Sequence, residues 1–376
     1  MSKIKNLLSI SGADFLGASI SGTFWFILAT LISPEKFGEI HYFLGIAGLA
    51  YGLSLIGSSD VIAVYTAKKI PLQATISLLS LIIGAVSAII VIILFARIDV
   101  SFLLIVFIIN DLAIGYLLGK KLFVRYSKYV LTQKCLTLTL GISFYFILGP
   151  DWIIYALALS YVHFSIIIYK VSRNSKIDLS VLKSRAGFVS NNYIMKILTI
   201  VRSQADKIII MPLIGFEILG NYVLALQIVT VLMIFPSIIY KYTLPHDATG
   251  VETKRIKIMA LAGAVGLSIL GITLIPAILP DIFPKYSEAG TAIQIISIAI
   301  IPSTITQFYT SKFLGMEKSK MILISRILMA VTIVVGILLL APTFKIIGAS
   351  VAFVLSAVIE AVFLVSSYHL WIKKSV

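Results

Sequence analysis

A chain containing LSLIIGAVSAIIVIILFA, Leu79 to Ala96, has few ways to fold. Runs of this kind recur from one end to the other. Each is close to the roughly 20 residues that cross about 30 Å of hydrocarbon. Hydrocarbon offers no hydrogen bonds, so each run must satisfy its own backbone as a helix. Only 12% of the 376 residues are charged and 59% are hydrophobic, far too little polar surface for a soluble globule of this size. The reading is an all-α integral membrane protein.

Apolar runs and breaks together predict about 12 transmembrane helices. The first six fall near 10–32, 38–62, 73–95, 100–119, 134–149 and 152–170. The second six fall near 190–214, 217–240, 257–280, 290–311, 321–341 and 347–371. Ser33-Pro34, Gly149-Pro150 and Ala341-Pro342 mark turns between them. Lys3 and Lys5 precede the first run as in a signal peptide. No short apolar core with a small-residue cleavage site follows, so the first run is expected to stay as a span. Cys135 is the single cysteine, which excludes an intrachain disulfide and a cysteine-based metal cluster. The net charge of +15 suits lysine- and arginine-rich cytoplasmic loops; no nucleic-acid partner is expected.

Charge also orients the chain. With the N-terminus placed in the cytoplasm, 23 of the 31 Lys and Arg fall on the cytoplasmic side. Four (Lys36, Arg97, Lys285 and Lys345) fall outside, and four (Lys196, Arg202, Lys207 and Arg326) lie within spans. If residues 190–207 merely lay on the surface, every later loop would change sides and the bias of the second half would invert. The seventh run therefore crosses, and both termini are expected in the cytoplasm.

The two halves repeat. PEKFGEIHYF follows the first span and GFEILGNYVL the seventh, so that Glu35 and Gly38 match Glu217 and Gly220. Leu118-Gly119 and Leu314-Gly315 end the fourth and tenth spans, and Pro150 and Pro342 precede the sixth and twelfth. Six is even, so these are parallel repeats, expected as lobes 1–180 and 181–376. SPEKFGEI after the first span and RSQADKIIIMPLIGFEILGNYVLA at the seventh resemble the polysaccharide flippases. These are the Wzx-type proteins of the multidrug/oligosaccharidyl-lipid/polysaccharide exporter superfamily. The shared pattern is Arg202, Asp206-Lys207, Gly220, Tyr222 and Ala225. The resemblance implies a V-shaped two-lobed bundle with a central cavity, expected as a monomer in a prokaryotic cytoplasmic membrane. It implies alternating-access flipping of polyprenyl-pyrophosphate-linked oligosaccharide to the outer leaflet.

A charge at a helix centre costs on the order of 2.5–3.5 kcal/mol even on the lenient insertion scale, so it faces a cavity or a partner. On the seventh span Asn192, Thr199, Arg202, Ser203 and Asp206 recur along one face. Arg202 and Asp206, spaced i, i+4, either neutralise each other or line a substrate path. Lys196, Arg202, Asp206 and Arg326 are candidate substrate-binding residues, the cations for pyrophosphate. Gln307, in PSTITQFYTSKF, is a candidate for sugar hydroxyls, although satisfying backbone near Pro302 explains this polar stretch equally well. Asp14 and Asp111 are candidate coupling-ion residues for H⁺ or Na⁺, a role the superfamily's first-helix Asp also implies. The intramembrane cations all lie in the second half, opposite the acids Asp14 and Asp111 of the first. An alternative partner for Arg326 is Glu360, in a structural pair between the last two spans.

No phosphate-binding Gly-rich loop and no metal-spaced His/Cys set is present, so no cofactor, metal or catalytic residue is expected. Two other readings are a cation-coupled multidrug or small-molecule antiporter and a membrane-embedded sugar polymerase or glycosyltransferase. An acidic, aromatic cavity would favour the first, and a large outer loop the second.

Overall fold

The computed structural model of the chain describes residues 2–174, 177–248, 253–316 and 318–375, with side chains described except at 2–11, 174, 241, 245, 248 and 371–375. The terminal Lys3, Lys5, Lys373 and Lys374 of the charge count, and Lys176 and Lys241, fall outside the described side chains. Among the described residues every regular element is helical. In chain order the helices are α1 (Ser2–Leu31), α2 (Pro34–Ser54), α3 (Ser59–Ala67), α4 (Gln73–Phe95), α5 (Ile98–Gly119) and α6 (Phe123–Leu148). Then come α7 (Ile153–Tyr161), α8 (Ser165–Asn174), α9 (Leu179–Lys183), α10 (Ala186–Ile214) and α11 (Phe216–Leu232). The series ends with α12 (Ile234–Ala248), α13 (Lys254–Ile282), α14 (Ala289–Ser297), α15 (Ile300–Gly315) and α16 (Ser319–Ser375).

Helix faces are sorted as lipid requires. On α4 the outward stripe is Ile82, Val86, Ile89 and Ile93, at steps of three and four. The inward face carries the small residues Ser77, Ser80 and Gly84. Side chains that would be core in water face outward, and small ones let helices approach closely.

Among the described residues eight helices are long and apolar enough to cross a membrane, or up to ten when two bent pairs each count as one span. The expected twelve are therefore not all met by length and apolarity, for two physical reasons. First, α16 is two antiparallel rods. Lys345 breaks it with φ 49° and ψ −125°, and Gly336 packs against Ala352 across the turn. Second, α10 carries Lys196, Arg202, Asp206 and Lys207, too many charges for an apolar span. The bent pairs are α11 with α12, at 44°, and α14 with α15, at 41°. Pro236 and Pro302 each sit in the first turn after the bend, where a missing N–H is harmless.

The chain divides into two compact units, residues 1–31 with 43–204 and residues 32–42 with 205–376. In the first, α5 packs on α3, α4 and α7, and α6 packs on α1 and α7. In the second, α14 and α15 pack on α11, α12, α13 and α16. α5 is thus the hub of the first unit, and the bent pair α14–α15 that of the second.

The repeated motif has a physical reason as well. Within the second unit the first turn of α2 lies against the first turn of α11. A methyl added at Gly38 would land on the carbonyl of Phe216, and one at Gly220 on the carbonyl of Pro34. Pro34 precedes Gly38 by four residues, as Phe216 precedes Gly220, so the contact is reciprocal. Only glycine lets the two backbones come this close.

Candidate functional site

In the first unit the polar side chains of three helices meet at Asp111. Its Oδ1 accepts from Lys196 Nζ at 2.8 Å and from the Tyr51 hydroxyl at 2.9 Å. Its Oδ2 accepts from the Ser59 backbone N–H, at the start of α3, at 2.7 Å. Lys196 Nζ also stands 5.5 Å from the centre of the Tyr51 ring. Asp111 is 8% exposed. Helix geometry explains the meeting. The break between α2 and α3 leaves an open N-terminus with unsatisfied N–H groups, to which a carboxylate is attracted. Tyr51 is held from behind by Phe107 of α5, edge-on at 6.0 Å.

Asp14 has a different setting. It is exposed on α1 and accepts from the Tyr126 hydroxyl at 2.9 Å. Asp111 already holds an ammonium, so a coupling cation there must displace or neutralise Lys196. Lys196 in turn lies in the unit of Asp111, which replaces the expected separation of acids and cations by one matched pair.

The polar stripe of α10 divides along its length. Asn192, Thr199 and Ser203 return their side chains to the helix's own carbonyls, at Phe188, Met195 and Ile200. Arg202 is exposed. Asp206, 5% exposed and in the second unit, accepts from the Lys207 backbone N–H at 2.8 Å and from the Tyr222 hydroxyl at 3.4 Å. Lys207 Nζ adds a contact at 3.6 Å. Nearby in that unit the buried His41 meets Gln227 at 3.1 Å.

Gln307 is half-buried, and its Oε1 is buried without a hydrogen-bond partner among the described residues. Thr304 satisfies the Ile300 carbonyl at 2.7 Å. Arg326 is half-buried within electrostatic reach of Tyr240, and Glu360 is buried. Sequence reasoning missed Tyr51, Ser59 and Gln227. Tyr51 had a signal, because it shares a face of α2 with Gly48 and Gly52, which pack against Gln204 and Ile200. Ser59 acts chiefly through its backbone N–H, with its hydroxyl adding a longer contact to Asp111 Oδ1 at 3.4 Å, and a backbone donor leaves no side-chain pattern to read. Among the described residues no group of three or more His, Cys, Asp or Glu stands ready to hold a metal.

The fold is that of transporters in the multidrug/oligosaccharidyl-lipid/polysaccharide exporter superfamily. The chain superposes on the lipid II flippase MurJ in an inward closed conformation with a TM-score of 0.76, at 12% identity, over 96% of this chain and 87% of that one. An inward-facing multidrug resistance MATE transporter of the superfamily gives 0.67, at 16% identity, over 96% and 95%. A superfamily transporter from Pyrococcus furiosus, described as having a binding pocket of reverse polarity that suggests a different function, gives 0.60, at 16% identity, over 98% and 96%. No protein-family model matches the chain, and no curated protein sequence matches it.

Proposed function

We propose that the protein moves a polyprenyl-pyrophosphate-linked oligosaccharide from the cytoplasmic to the outer leaflet, coupled to H⁺ or Na⁺. The observation that carries this reading is the pair of Lys196 with Asp111. While Asp111 is ionised and unoccupied, Lys196 is satisfied. A proton or Na⁺ on Asp111 removes that counter-charge and leaves an ammonium in a low-dielectric setting, where it demands an anion. A pyrophosphate supplies one. The two binding events then assist each other, and by linkage the assistance is equal in both directions. A site for cationic drugs would want a carboxylate without an ammonium. Asp111 and Asp206 each already hold a lysine, at positions 196 and 207, which favours the anionic substrate.

Proteoliposomes loaded with a defined lipid-pyrophosphate sugar test the reading. Flipping should change several-fold when a Na⁺ or H⁺ gradient is imposed, and Lys196→Gln should remove most of the traffic. Gradient-independent flipping would overturn the coupling. Full activity of Lys196→Gln at equal expression would overturn the substrate contact.

A further inference from the structure

The second unit holds a cavity of about 610 Å³ that the proposed transport does not use. It lies where the end of α12, the start of α13 and the end of α15 meet, with Val365 of α16 on one wall. Its apolar lining includes Ile258, Leu261, Ile305 and Phe308. Among the described residues its charged groups are Lys254, Lys257, Lys312 and Asp247, a net charge of +2.

The three lysines are not equivalent. Lys257 is neutralised by Asp247 at 2.5 Å, and that carboxylate also accepts from Ser311 and Thr253. Lys254 is exposed at the rim. Lys312 is half-buried and, among the described residues, makes no direct ion pair, although the Asp247 carboxylate lies within electrostatic reach. Its ammonium lies 5.0 Å from the Tyr309 ring centre and 4.3 Å from that of Tyr368. Two aromatic faces hold the ammonium in place, while Asp247, committed to Lys257, Ser311 and Thr253, offsets it only at a distance. A fixed ammonium beside an apolar chamber of drug-sized volume has the chemistry of an amphiphile site. The charge count of the loops puts this end of the unit at the cytoplasmic leaflet, where lysines gather around anionic headgroups.

We infer that this cavity binds a lipid phosphate monoester, with the phosphate between Lys312 and Lys254 and the first part of the chain against Leu261, Ile305 and Phe308. Asp247 keeps Lys257 out of the contact and limits the site to one headgroup. The site is separate from Lys196 and Asp111, so it stands whether or not the chain flips oligosaccharide.

Purified full-length protein in detergent is titrated with dioctanoyl phosphatidate, with dioctanoylglycerol and with inorganic phosphate, and bound ligand is read by native mass spectrometry. Phosphatidate should bind about tenfold more tightly than either fragment. Lys312→Gln should lose about tenfold in affinity, the worth of one charge-assisted hydrogen bond, and Lys312→Arg should retain it. Lys254→Glu, at an exposed position that does not bear on folding, should weaken binding by repulsion. Equal binding of dioctanoylglycerol would make the cavity a plain apolar pocket, and equal binding of phosphate would make it a free-anion site. Either outcome, or unchanged affinity in both Lys312→Gln and Lys254→Glu, overturns the inference.

Discussion

Lys196 and Asp111 stand 85 positions apart in the chain, and each alone would be a costly group in hydrocarbon. Removing one strands the other. Asp111→Asn and Lys196→Met should therefore each destabilise the protein by about 3 kcal/mol. The double variant should recover about 2 kcal/mol of the summed loss, measured as unfolding free energies in mixed micelles. Strict additivity would mean that the pair does not couple. Sequence reasoning chose both residues because ionisable groups within spans are rare. It gave them separate duties because nothing in one sequence says which helices are neighbours. Asp206 shows the same limit, since its hydroxyl donor Tyr222 sits on the next helix. Outside the spans, Asp247 offers a pH test. Burial pushes its carboxyl up, but hydrogen bonds from Lys257, Ser311 and Thr253 outweigh this and hold it below the usual 3.8. A depressed carboxylate stabilises fully above its unfolded value, and that contribution is lost as pH falls through the lower folded one. The thermal midpoint of the wild type should thus drop more steeply below pH 3.8 than that of Asp247→Asn.

Among the elements, the crossing of α2 on α11 is the most exacting. Each glycine faces a backbone carbonyl, which cannot rotate aside as a side chain would. Gly38→Ala and Gly220→Ala should each cost on the order of 2–3 kcal/mol, the range of overpacking in a tight contact. Together they should cost less than their sum, because one methyl already parts the helices. Thermal denaturation of the three variants checks both statements, and single-variant midpoints equal to wild type would refute the crossing. The match of Glu35 and Gly38 to Glu217 and Gly220 was visible as a repeat. That the repeated glycines are each other's partners was not, because a repeat gives spacing and no distance. Most of the helices were legible from apolar runs and turn signals. The bends before Pro236 and Pro302 were less so, since a proline marks where a helix tolerates a break without stating the angle.

For the whole molecule, the decisive question is the side on which each loop emerges, and α10 decides it. Its four charged residues disqualify it on apolarity alone, yet Lys196 and Asp206 each have a protein partner that lowers the cost of placing them in hydrocarbon. A helix satisfied in this way can cross. If it does, Lys345 faces the outside and Lys254 and Lys318 face the cytoplasm. If it does not, the two sides exchange. Cysteines introduced singly at these three positions, in a Cys135→Ser background, distinguish the cases in intact cells. A membrane-impermeant maleimide should label position 345 readily and positions 254 and 318 only after permeabilisation. Labelling of 254 and 318 in intact cells, with 345 protected, would put α10 on the surface. It would also move the lysine-lined cavity of the second unit to the outer leaflet.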